Sequence, residues 1–228
     1  MISNLINPTR FKKPYLVTAG AGANRGALGD ISPGWPILLR VNDFLLLQMS
    51  IHATSGVCGA QSGWTAINAY QIGSSDLGEH ALYWKLATGS ESGTTTLPYS
   101  VDAGVCKIAR IYAFRNVHTT DPIVAGTSAN LTNSTLADVN ITATKAFQLA
   151  LNMIVVNDDH ALSAMTGGGS GAWTEIDAEY TTTSGSDGCV GAQSCRLNNI
   201  GDVVGGHTFA LPEADGWSIV SLLLNPAA

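Results

Sequence analysis

The feature that most constrains this chain is the way its apolar residues are parcelled. They come in short runs closed off by Gly, Ser, Asn, Asp or Pro, with no long stretch of helical periodicity. Runs of this length and punctuation predict β-strands joined by turns. Candidates in the first half are Tyr15 to Thr18, Phe44 to Ile51, Trp64 to Ile72, His80 to Leu86, Thr95 to Tyr99 and Val105 to Phe114. The second half offers Ala137 to Thr142, Phe147 to Val156, Trp173 to Tyr180, Val190 to Leu197, Val203 to Phe209 and Trp217 to Leu224. Several alternate: Ala81, Tyr83 and Lys85 fall on one face and Leu82, Trp84 and Leu86 on the other. The runs at 44–51 and 147–156 are continuously apolar and fit a buried helix as well. Strand is preferred, because Gly-rich loops follow each run and β-branched residues close the second.

A dozen short strands predict an all-β fold, a two-sheet antiparallel β-sandwich that is jelly-roll-like. Composition agrees: 12 % of residues are charged, about half the usual quarter for soluble domains, so exposed helix faces have little to be written in. With 45 % hydrophobic residues over 228 positions, the chain can bury a sizeable core. The net charge of −6 and the scattering of Lys and Arg argue against nucleic acid as a partner.

Residues 1–40 differ from the rest. Pro8, Pro14, Pro33 and Pro36 and the stretch Gly20 to Gly29 leave room for one strand, so this segment is expected to be an extended arm ahead of a sandwich at 41–228. Met1 to Asn4 show neither the basic start nor the apolar stretch of a signal peptide, and no run is long enough to span a bilayer. The expectation is synthesis in a cytoplasm with reduced cysteines. Cys189 and Cys195 could still meet across a short hairpin, and no cysteine or histidine spacing suggests a metal. One phrase is written twice: a run from Phe44 leads to Trp64-Thr65-Ala66-Ile67, and a run from Phe147 leads to Trp173-Thr174-Glu175-Ile176. Each Trp is expected to cap the core at the start of a returning strand; the alternative is common β vocabulary.

Further motifs follow in order: Val41-Asn42-Asp43-Phe44, Gly63-Trp64-Thr65, Leu82-Tyr83-Trp84-Lys85-Leu86-Ala87, Glu91 to Tyr99, and Ile111-Tyr112-Ala113-Phe114-Arg115-Asn116-Val117 with Asp121-Pro122-Ile123. With Trp173 and the closing Trp217-Ser218-Ile219-Val220, this order resembles a β-sandwich domain family common in bacteriophage tail-fibre and other virion-surface structural proteins. The resemblance spans roughly residues 41–226. It departs in its Asn-Asp, its Pro-rich arm and the lack of other domains. It implies a non-enzymatic virion structural protein of tail, fibre or head decoration, made in the host cytoplasm. Its partners would be itself and other virion proteins, with a homotrimer expected by analogy. The family has no catalytic residues to transfer, and no cofactor is expected.

The alternative is a carbohydrate-binding module at a fibre tip that meets a host surface glycan through loops 53–63, 73–78 and 157–172. Candidate contacts are Trp35 and Tyr70, which could stack on a sugar or a neighbour, and Asp158, Asp159 and His160, which could hold a cation or sugar hydroxyls. A turn in which the Asp side chains bond their own backbone is the preferred reading of the last three. Glu175, Asp177 and Glu179 should alternate onto one strand face, which suits solvation better than a tuned acid and base. Gly168-Gly169-Ser170-Gly171 lacks the strand-to-helix context of a nucleophile elbow.

Overall fold

A computed structural model describes residues 12–26, 29–52, 56–73, 78–100, 106–124, 126, 128–158, 162, 165–166, 169–176, 180–182 and 188–227. Every regular element among them is a strand. In the first half these are β1 (Tyr15–Ala19), β2 (Ala23–Arg25), β3 (Phe44–His52), β4 (Thr65–Gln71), β5 (Gly78–Leu86) and β6 (Cys106–Arg115). The second half contains β7 (Ile123–Val124), β8 (Ser128–Ala137), β9 (Ile141–Thr142), β10 (Gln148–Val156), β11 (Thr174–Glu175), β12 (Tyr180–Thr182), β13 (Gly188–Leu197), β14 (Val203–Val204) and β15 (Thr208–Leu224). They form two antiparallel sheets packed as a β-sandwich. One has the order β1-β6-β3-β5-β4 with β2 also on β6. The other runs β11-β13-β10-β15-β7, with β12 on β13 and β8 on β15, and β9 pairs with β14 in a small ladder of its own.

The central strands β3 and β10 are buried at all nine of their positions. This is why their sequences show no alternation: a strand covered on both faces carries apolar residues on both. Between the sheets, Phe44, Leu46, Leu82, Tyr112 and Phe114 meet Leu149, Leu151, Met153, Val220, Leu222 and Leu224. The outward side chains of the first sheet, such as Leu45, Leu47 and Ile111, are roofed by Ile31, Trp35, Leu39, Leu97 and Tyr99. Ala150, Ile154 and Ile219 on the far side of the second sheet are roofed by Leu136, Ile141, Leu162, Met165, Trp173 and Val204. Each roofing leucine or isoleucine contributes about 1.5–3 kcal/mol by leaving water.

The phrase written twice in the sequence corresponds to a strand order written twice in the fold. In the first sheet β3 pairs with β5 and β6, and β5 carries β4; in the second, β10 pairs with β13 and β15, and β13 carries β11. Both β5 and β13 open with a glycine. A Cβ on Gly78, whose φ is 141°, would meet the Ile51 carbonyl oxygen, and one on Gly188 would meet the His52 ring.

Several expectations need correcting. Thr95 to Tyr99 is not a strand: the segment is tied by isolated bridges, Gly34 to Thr94 and Ile31 to Leu97, and Pro98 lacks the donor that a continued ladder would use. Ala137 to Thr142 is not one strand: Ala137 ends the longer, polar β8, whose Ser, Thr and Asn residues give little hydrophobic signal, and only Ile141–Thr142 form β9. Trp173 to Tyr180 is not continuous, since β11 stops at Glu175, and Asp177 and Glu179 lie outside the described residues. Val203 to Phe209 divides between β14 and the start of β15. The arm gains β2, which pairs with β6 despite its Gly-rich flanks. Cys189 and Cys195 do not meet across a hairpin. Both lie on β13, opposite Val156 and Ala150 of β10, which separates them by roughly 20 Å of extended chain, and all four cysteines are free.

One end of the interior is polar. Gln48 Nε2 donates 2.9 Å to the Ile154 carbonyl and lies 3.2 Å from His80 Nε2, while His80 Nδ1 lies 3.2 Å from Ser218 Oγ. The Tyr112 hydroxyl donates to Gln48 Oε1 at 3.2 Å. Gln48, His80 and Ser218 are all 0 % exposed. These bonds stitch β3 to β10 and β5 to β15 through the middle of the sandwich. Burial first, and then the neighbouring His52, lower the His80 pKa to about 3. Between pH 6.5 and 3 the unfolded chain therefore takes up a proton that the folded chain refuses, and stability is lost as pH falls through that window. Urea unfolding from pH 7 to 4 should show a loss approaching about 1.4 kcal/mol per pH unit from this residue. In His80→Gln the slope should be shallower by that amount; an unchanged slope would show that His80 protonates freely.

Candidate functional sites

Four of the motifs, those around Asp43, Trp64, Lys85 to Glu91 and Arg115, are scattered in sequence but meet at one end of the first sheet, whereas Ile123, Trp173 and Trp217 belong to the second. Asp43 is 2 % exposed and accepts two bonds from Arg115, Nε at 2.8 Å and Nη2 at 2.7 Å, and a third from the Arg40 amide at 2.8 Å. Arg115 Nη2 also donates to the Leu38 carbonyl at 3.0 Å. The Asn42 amide donates to the Ala87 carbonyl, and the Ala87 amide donates to that of Asp43. Beyond Ala87, Glu91 closes a turn by accepting the amides of Thr88 and Gly89 and pairs with Lys85 at 3.2 Å. Partial burial works against its charge, but these amides and Lys85 outweigh it and hold the Glu91 pKa at about 2. The second half repeats the device after β13, where Asp202 Oδ2 accepts the amides of Asn198 and Asn199.

Trp35 belongs to this same end. Its ring stacks on Trp64 with centroids 5.9 Å apart and planes 6° from parallel, and Lys85 Nζ lies 4.7 Å from one ring centre and 5.5 Å from the other. Both indoles are half-buried against the roof of the first sheet. Trp64, expected to cap the core, packs half-buried against it and also holds the arm through Trp35.

Between Trp35 and Asp43 the chain forms a knuckle. Ile37, Leu38 and Val41 are 68 %, 76 % and 65 % exposed, half of the exposed large apolar side chains among the described residues, within five positions. Leu38 has a φ of 62°, a left-handed conformation that costs a branched residue about 1–2 kcal/mol. The Asp43–Arg115 pair holds it there through the Leu38 carbonyl. A partly buried ion pair thus keeps a strained backbone in place while apolar side chains are turned to water.

Tyr70 stands at the opposite end of β4 from Trp64, roughly 20 Å away along the strand, so the two candidate aromatics do not share a site. It helps line a cleft of about 230 Å³ with Gly56, Val57, Ala69, Gln71, Gly78 and Glu79. Burial raises the Tyr70 pKa. Glu79 Oε1 accepts the Cys58 amide at 3.1 Å, and burial pushes the Cys58 thiol up. Residues 53–55 and 74–77 of the expected glycan loops lie outside the described residues, as do Asp159 and His160.

Asp158 is brought to Glu213 and Asp215, with one oxygen of each within 4.8 Å of the others. The grouping arises where β15 breaks register with β8, between Ala210 and Asp215. Sequence reasoning could not see it, because the partners are more than fifty residues away and join through an irregularity in pairing.

Two further polar groups are sealed inside. Asp138 accepts the Trp173 indole N–H at 2.6 Å, the Asn152 amide at 3.0 Å and the His207 backbone N–H. Ser221 donates to Asn152 at 2.6 Å. Like the Ser218–His80–Gln48 chain, these groups satisfy one another and tie the second sheet to its roof.

Comparison with family models, with curated proteins and with solved structures gives no match for this chain.

The ion pair at Asp43 yields a direct test. Asp43→Asn leaves Arg115 without its counter-charge and should lower stability by about 3 kcal/mol in urea unfolding. It should also expose the bond after Arg40 to trypsin, while wild type resists. Equal stability and equal resistance would show that the pair does not hold the knuckle.

Proposed function

We propose that this chain is a non-enzymatic structural protein of a bacteriophage particle, a tail, fibre or head-decoration component made in the host cytoplasm. It assembles through its arm and its sheet edges with other virion proteins and with copies of itself. The observation that carries the reading is the knuckle: three aliphatic side chains held in water on a strained loop tied to Arg115 through the Leu38 carbonyl. Apolar surface presented this way stabilises an interface when covered and contributes nothing to a free monomer. The motifs that resemble those of the phage family point to the same reading. They build this end of the sandwich through Asp43, Arg115, Trp64, Lys85 and Glu91, so what they specify is a shaped platform.

A second reading, a carbohydrate-binding module, is favoured by the Tyr70 cleft. It offers one half-buried aromatic ring beside the polar groups of Gln71 and Glu79 in a volume suited to a single small ligand. A glycan array followed by titration separates the readings: saturable binding that Tyr70→Ala abolishes would make recognition the primary role.

For the assembly reading, sedimentation of the purified chain should show association that strengthens with concentration. Leu38→Asp together with Ile37→Asp should weaken binding to other virion proteins and higher-order assembly at least tenfold, while leaving the unfolding midpoint and the smallest oligomer unchanged. Unaltered association in that double variant would remove the knuckle from the interface.

A further inference from the structure

Among the described residues, the topology leaves two strand edges side by side on one flank. β4 ends the first sheet, and β8 borders β15 on the second. The two flanks are layered alike. β5 packs over β15 through His80 and Ser218. Just past β4, the Gly73 amide donates to the Trp217 carbonyl, and the Gly73 carbonyl accepts from Asn130 of β8. β4 therefore lies over β8. On the other flank, Arg196 of β13 donates to the Pro14 carbonyl beside β1, so the strands carried by β13 lie over β1 and β2.

The two flanks differ in charge. Lys12, Lys13, Arg25, Glu175 and Arg196 mark the flank with β1, β2 and β11, whereas β4 (TAINAYQ) and β8 (SANLTNSTLA) contain no Asp, Glu, Lys, Arg or Pro. Proteins ordinarily protect an open sheet edge with charges, above all Lys, or with Pro. β4 has one defence, the break in register between Ala66 and Asn68. Beyond it, Asn68 to Gln71 pair regularly with β5 and are largely exposed. The Ala69 amide points away from β5 and is met by the exposed side chain of its own neighbour, Asn68 Oδ1, at 2.9 Å. β8 adds an exposed Leu131.

We infer that this flank is where a second copy of the chain joins, by antiparallel pairing of β4 with β4 across a two-fold axis that also sets β8 against β8. This rests on reading the chain as an assembly module and names the partner and the edge. A second copy is the partner that fits, because antiparallel pairing is itself two-fold symmetric and one axis through stacked edges extends both sheets at once. In a chain of net charge −6, the two edge strands β4 and β8 add no charge of their own to the approach of a second copy, the nearest carboxylates being those at the break beside Asn133.

The experiment is light scattering and sedimentation of the full chain with three variants. Ala69→Pro removes the outward amide, Ala69→Lys puts a charge on the edge, and Leu38→Asp alters the knuckle only. Wild type should form dimers, or assemblies that dissociate through dimers. Either edge variant should be monomeric at the same concentrations with an unchanged circular dichroism spectrum, and Leu38→Asp should retain the dimer. The Ala69 amide should become at least tenfold slower to exchange as wild type is concentrated. Dimers that survive both edge variants, or an Ala69 amide that exchanges equally fast at all concentrations, would overturn the edge proposal. If Leu38→Asp then abolishes association, the assembly reading stands without it. Wild type that stays monomeric at every concentration would overturn both.

Discussion

The fold depends on the two central strands being covered on both faces. β3 and β10 are each buried along their whole length, so facing the sheets together satisfies only half of their apolar surface. The other half demands an outer layer. The arm and the segment around Leu97 and Tyr99 supply it for the first sheet, and the chain around Leu136, Ile141, Met165 and Trp173 supplies it for the second. Much of the irregular chain is thus roof, placed by the need to exclude water from residues such as Leu45, Leu47, Ile154 and Ile219. The arm is part of the same body, since β1 and β2 both pair with β6.

That constraint also settles what the buried polar groups do. His80, Gln48, Ser218, Asp138 and Asn152 are closed off by the layers on either side, and each finds its partners among the others, on Tyr112, Trp173 and Ser221, or on the backbone. A serine beside a histidine beside an amide has the ingredients of a nucleophile relay. Sealed at 0 % exposure between two sheets, this set works instead as a register lock: a slip of one residue in β3 or β15 would leave a hydrogen-bonding group stranded in an apolar interior.

The sandwich class and the long strands were legible because apolar runs bounded by turn residues mark strands directly; β3, β5, β6, β10 and β13 lie where their sequences place them. The failures have physical causes. β8 is half-exposed at a sheet edge, so it is written in Ser, Thr and Asn and carries no apolar period. Thr95 to Tyr99 has strand composition but serves as roof, held by single bridges. Among the candidate site residues, Trp35 was visible as an aromatic outside the regular runs and Tyr70 as one near the end of a strand run. Their surroundings were not, because Trp35 meets Trp64 and Lys85, and Tyr70 meets Glu79, only through sheet order. The gathering of Asp158, Glu213 and Asp215 depends on a break in pairing that no local pattern announces.

The duplicated strand order has a consequence for how the chain reaches this state. Each sheet is built from one continuous half, the first from Tyr15 to Arg115 and the second from Ile123 to Leu224, and the chain crosses between them once. Every contact across the seam could equally be made by halves belonging to different molecules. Only the short crossing after Asn116 keeps the two halves together during folding, so the length and stiffness of that tether govern whether crowded, newly made chains close on themselves or trade halves.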